Sequence, residues 1–142
     1  MKKQIREQPV ERIPQSTPCP PHDVLEILGN KWSIIVLTVL SMAPNNRLRF
    51  SDLKVTIEGI SQRMLTLTLR NLEREGILIR HFFPEVPPRV EYQLTGMGKA
   101  LLPSLQDFIE WIRIHWPTIQ NAREHFDENQ RVKKEKSAES QV

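Results

Sequence analysis

From Pro21 onward the hydrophobic positions change rhythm several times, and each rhythm predicts an element. Val24, Leu25 and Leu28 give a short first helix its apolar face, with Pro21 favouring its start and Gly29 its end. Asn30 then caps a second helix whose apolar residues, from Trp32 to Leu40, occur all round, so it belongs inside a core. Pro44-Asn45-Asn46 closes it with turn chemistry. Two helix starts follow. Ser51 reads as an N-cap with Phe50 and Val55 as a hydrophobic staple, and Ser61 repeats the arrangement with Ile60 and Leu65. Glu58-Gly59 between them supplies the tight turn of a helix-turn-helix, and Gly76 stops the second helix.

Two strand-like runs come next, residues 77–83 and 89–95. In the second, Val90, Tyr92 and Leu94 alternate with polar neighbours, the mark of a half-buried strand. The link Pro84-Glu85-Val86-Pro87-Pro88 predicts a stiff hairpin tip. Helix, turn, helix and β-hairpin in this order predict a mainly α fold with a small β-hairpin wing (α+β), a winged helix-turn-helix. After Thr95, an expected N-cap, a mostly helical stretch runs to about Phe126, kinked or divided at Pro103 and Pro117. Leu101, Leu102, Leu105, Phe108, Ile109, Ile112 and Trp116 supply more apolar surface than a terminal helix needs to seat itself, which predicts a subunit interface there. The expected organisation is a loose arm over residues 1–20, one folded domain over 21–126, and an unstructured charged tail over 127–142.

The helix beginning at Ser61 carries the candidate chemistry. At 100° per residue Leu65, Leu69 and Leu72 form one inward stripe, and Arg63, Thr66, Leu67, Arg70 and Arg74 lie opposite, with Gln62 at the N-terminal shoulder. Arg can bind guanine through two hydrogen bonds, Gln can pair with adenine, and Thr can meet a thymine methyl or a phosphate. The N-terminal half of a reading helix reaches base edges, so Gln62, Arg63, Thr66 and Leu67 are the expected readers and Arg70 and Arg74 the expected phosphate contacts. Leu67 either packs on thymine methyls or is merely tolerated. Arg89, placed at the hairpin tip, is expected to enter a minor groove or hold a phosphate, and Arg49 to touch the backbone. The plainer reading of such a face is a solvated helix surface, and a winged helix can also be a protein-docking module that never touches bases.

Composition narrows the alternatives. The chain has 142 residues, a single-domain length, with 39% hydrophobic and 26% charged residues. Twenty Lys and Arg against seventeen Asp and Glu leave +3, too mild to define a partner. No apolar stretch approaches a bilayer span, no leader pattern opens the chain, and one cysteine forms no disulfide framework. A cytoplasmic protein without membrane association is therefore expected. The histidines are scattered, no nucleophile has a recognisable partner, and the five glycines make no phosphate loop, so no enzyme, metal or cofactor is expected. Cys19 stands just before a helix start, where the dipole favours thiolate. It reads either as a sensor or as an inert packed cysteine.

An ordered set of short motifs adds a resemblance. Cys19-Pro20, Gly29-x-Lys31-Trp32, Arg49-Phe50-x-x-Leu53, Gly59-Ile60-Ser61-x-Arg63-Met64-Leu65-Thr66, Leu69-Arg70-x-Leu72-Glu73-x-x-Gly76, Pro87-Pro88-Arg89-Val90-Glu91-Tyr92-x-Leu94-Thr95, Gly98 and Trp111 follow one another over residues 19–115. Together they resemble the HxlR-type transcriptional regulators, a branch of the MarR-like winged-helix proteins. The resemblance implies a homodimer on double-stranded DNA, joined through its N- and C-terminal helices. It also implies control by a small effector, an electrophile or an oxidant acting at Cys19. With no second cysteine, only a bridge between two Cys19 residues, a mixed disulfide or alkylation fits. Leu67 departs from the family's usual polar residue, so relatives do not supply the operator sequence.

Overall fold

The structure is a computed structural model that describes residues 22–141; the N-terminal arm and Cys19 lie outside the described residues. Helix α1 (His22–Leu28) leads into α2 (Lys31–Met42), where the Asn30 side chain accepts the Trp32 amide at 2.9 Å. On α1 it is Ile27 and Leu28 that pack on the core, while Leu25, expected inward, is 57% exposed. Val24, Ile27 and Leu28 share one side at i, i+3, i+4, and Leu25 falls off that stripe. α2 occupies the centre, against α1, α3, α4, α5 and β3, and this explains its apolar circumference. A 3₁₀ turn, Pro44–Asn46, follows, and the Asn46 side-chain Nδ2 donates to the Leu40 and Ser41 carbonyls at 3.2 Å, satisfying groups the helix end leaves open.

A short strand not foreseen from the sequence, β1 (Arg47–Arg49), comes next, and it changes how the following helix starts. Helix α3 (Phe50–Thr56) begins straight out of the strand, with Arg49 at its N-cap and no side-chain cap, so the expected Ser51 cap does not form. Neither does the Phe50–Val55 staple, since Val55 is 85% exposed. The buried stripe is instead Phe50, Leu53 and Ile57 at i, i+3, i+7.

The second capped start forms as expected. Gly59 takes φ +80° in the turn, Ile60 is buried, and Ser61 Oγ accepts the Met64 amide at 3.0 Å to open α4 (Gln62–Arg74). Strands β2 (Leu78–Phe83) and β3 (Arg89–Leu94) pair antiparallel from Leu78↔Leu94 to Phe83↔Arg89. β1 pairs on the other side of β3, with Leu48↔Tyr92, giving the sheet order β1-β3-β2.

Helix α5 (Gly96–Glu139) is anchored by Thr95, whose hydroxyl donates to the Gly76 carbonyl at 2.6 Å and accepts the Gly98 amide at 3.1 Å. That one side chain ties the end of α4 to the start of α5. Of the two outcomes expected at Pro103 and Pro117, division does not occur: α5 runs on through both. Each proline removes one helical bond, and the carbonyls so freed, at Lys99 and Arg113, belong to exposed residues. The helix also continues through 127–139, expected as an unstructured tail. Residues 118–139 contain no Gly or Pro, are rich in Glu, Gln, Lys and Arg, and set Asp127, Arg131 and Glu135 four apart with alternating charge. No helix among the described residues is long and apolar enough to cross a membrane.

Candidate nucleic-acid interface

The inner stripe of α4 is fully buried: Leu65, Leu69 and Leu72 have no exposed surface, and Thr68 joins them with its hydroxyl donating to the Met64 carbonyl at 2.7 Å. Three leucines locked in a core hold the opposite face in a fixed orientation. On that face Gln62, Arg63, Thr66, Leu67 and Arg70 line one shallow concavity, with Ser61 exposed at its head and Arg74 exposed one turn beyond Arg70. Thr66 donates its hydroxyl hydrogen to the Gln62 carbonyl at 2.8 Å. Leu67 is 49% exposed, an apolar spot inside a polar surface. Among the described residues no carboxylate lies within 4.0 Å of Arg63, Arg70 or Arg74. Their charge is therefore available to an outside anion.

The wing distributes its cations differently. Arg47, Arg49 and Arg89 surround Glu91 at 2.6, 4.0 and 3.9 Å, and Arg89 also meets Glu85 at 3.2 Å. Arg89 is the first residue of β3, opposite Phe83, and its guanidinium lies 4.1 Å from the centre of that ring. Arg89 closes the ladder next to the tip loop 84–88, where Val86 is fully exposed, and its side chain is turned back onto Glu85, Glu91 and Phe83. Arg49 only grazes Glu91 and keeps half its side chain in solvent.

Sequence reasoning missed Arg80. It sits on β2 opposite Tyr92 and, with Tyr92, lines two neighbouring concavities. One contains Thr66, Arg70 and Glu73; the other contains Arg49, Ser51 and Arg89. The signal was present: strand alternation puts Arg80 on the same side as the buried Leu78, where an arginine is out of place unless the sheet outruns its core. Burial raises the pKa of the Tyr92 phenol, and the adjacent Arg80 guanidinium opposes that rise.

On α5 the residues expected at a subunit interface divide into two groups. Leu101 and Leu105 pack on the subunit's own core. Phe108, Ile112 and Trp116 are exposed, and Ile109 is half-buried.

Comparison with known proteins agrees with this architecture. Residues 27–120 match the family described as HxlR-like helix-turn-helix. An uncharacterized HTH-type transcriptional regulator of Methanothermobacter thermautotrophicus is 44% identical over 97 residues, 68% of this chain and 72% of that protein. The solved structure of YtfH from Salmonella typhimurium superposes with a TM-score of 0.68 at 34% identity, covering 75% of this chain and 93% of that one. The redox regulator HypR in its reduced form gives 0.64 at 34% identity, covering 72% and 99%. A three-stranded wing beside a leucine-anchored, arginine-faced helix, together with these matches, places the chain in the HxlR-like helix-turn-helix family of transcriptional regulators.

Proposed function

We propose that the protein is a sequence-specific regulator that grips an inverted-repeat operator as a homodimer. The observation that carries this reading is the outward face of α4, where, among the described residues, Arg63, Arg70 and Arg74 have no carboxylate within 4.0 Å, and Gln62, Thr66 and Leu67 lie among them. Two copies related by a two-fold axis present their α4 helices to successive major grooves about 34 Å apart. Gln62, Arg63, Thr66 and Leu67 meet base edges, while Arg70, Arg74 and Arg49 hold phosphates. Phosphate contacts supply affinity, and the base-facing side chains supply choice. The exposed Phe108, Ile112 and Trp116, with Ile109, support pairing through α5. The protein acts in the cytoplasm, on DNA near genes it controls.

Control through Cys19 is part of the proposal. Two features support it: Cys19 lies three residues ahead of α1, and the similar HypR is a redox regulator. Alkylation or a disulfide at Cys19 would displace α1 and with it the geometry between the two reading helices. Full modification of Cys19 by a thiol reagent is expected to change operator affinity at least about ten-fold, in the lower part of the ordinary range of coupling strengths. Fully modified protein with unchanged affinity contradicts it.

The direct experiment is a fluorescence anisotropy titration of the duplex upstream of the protein's own gene, at several salt concentrations and with competitor DNA. The expected result is binding on the order of 10³-fold or more tighter than to random duplex, weakening steeply with salt. Equal affinity for both duplexes overturns the proposal.

A further inference from the structure

We infer that Arg80 clamps a DNA backbone phosphate at the junction between the reading helix and the wing, making one cationic track of two contact areas. This rests on the proposal that the chain binds DNA through α4, and adds a contact residue and the chemical group it takes. Glu91 and Glu85 already engage Arg47 and Arg89, so these two have little charge left for an outside anion. No carboxylate lies within 4.0 Å of Arg80 among the described residues. Its guanidinium stands 5.7 Å from the Phe82 ring centre and beside Tyr92, contacts that leave most of its five donors unused.

Position selects the ligand. Arg80 lies between Arg70 on α4 and Arg49 at the end of β1, and lines a concavity with each. The wing-side concavity, about 500 Å³, is open to solvent; Arg49, Ser51, Arg80 and Tyr92 line it together with Glu85, whose charge is taken by Arg89. A small anion is best held by donors converging in an enclosed pocket, whereas Arg70, Arg80 and Arg49 are strung along an open path. A strung path suits a polyanion whose phosphates repeat at regular intervals. An arginine fork also matches a phosphodiester with two parallel hydrogen bonds.

The test compares wild type, Arg80→Gln and Arg80→Lys on the operator duplex across a salt series, then on duplexes with single phosphates replaced by neutral methylphosphonate. Arg80→Gln is expected to lose about ten-fold in affinity and to flatten the log–log salt slope by roughly 0.9, one phosphate's worth, with base preference unchanged. Arg80→Lys is expected to keep the slope. At one phosphate position neutralisation should weaken wild type and leave Arg80→Gln indifferent. An unchanged slope in Arg80→Gln, or identical sensitivity of both proteins at every phosphate, overturns the clamp while leaving the α4 reading intact. Failure of wild type to retain any duplex overturns both.

Discussion

Ser61 serves the fold and the interface together. Its hydroxyl accepts the Met64 amide, fixing where α4 begins, and this sets which residues occupy the first exposed turn. Gln62 and Arg63 therefore lead that turn and Thr66 follows one turn on, with Arg70 and Arg74 further down the helix. Residue roles divide accordingly. Replacing Arg70 by Ala should weaken binding to all duplexes alike and flatten the salt slope, since a phosphate contact carries no sequence information. Replacing Gln62 by Ala should instead change discrimination at one base pair by about 1–3 kcal/mol. Relative affinities for a panel of single-base operator variants separate the two patterns. A uniform loss for Gln62→Ala would move that residue to the backbone.

At the scale of elements, α4 was legible in the sequence because independent signals agreed: the Ser61 cap, the Ile60–Leu65 positions, the leucine stripe and Gly76. β1 was not legible, because three residues give no measurable alternation and the strand exists only through its pairing with β3. The false Ser51 cap follows from that omission, since an unseen strand delivers the chain into α3 already at Phe50. The last stretch of α5, residues 127–139, is not legible as helix for the opposite reason. Its side chains bury hardly any apolar surface, and local helix propensity sustains it. Arg89 does lie beside the hairpin tip, but position in sequence cannot show that Glu85 and Glu91 hold its side chain back.

Backbones approach closely at the joint between α4, the wing and α5. A Cβ at Gly98 would run into the Ile77 carbonyl oxygen, and the same carbonyl accepts the Thr95 amide at 3.0 Å. Gly98→Ala should cost about 1–3 kcal/mol of stability. Gly96→Ala, where a Cβ meets open space, should cost nothing or stabilise by at most about 1 kcal/mol. Urea denaturation midpoints of the two variants check the contrast.

At the scale of the molecule, 44 helical residues make α5 about 66 Å long at 1.5 Å per residue, longer than its own domain can cover. Ile112, Ile119 and Phe126, following the core-packed Leu105, recur every seven residues along it, a spacing that suits a helix-paired seam. The double variant Phe108→Glu, Ile112→Glu alters side chains that are exposed in the single subunit, so the domain should still fold. Sedimentation velocity should then report a monomer, and full-operator affinity should fall by about 10²-fold as the second half-site contact is lost. An unchanged dimer mass would place the seam elsewhere.

The central claim, that the outward face of α4 reads DNA in symmetric pairs, is tested most directly by in vitro selection from a randomised duplex pool, with wild type and Arg63→Ala in parallel. The account predicts that wild type enriches an inverted repeat with half-site centres about 10 base pairs apart, and that Arg63→Ala relaxes one position in each half-site. No enrichment by wild type, or an identical enriched sequence from both proteins, would contradict it.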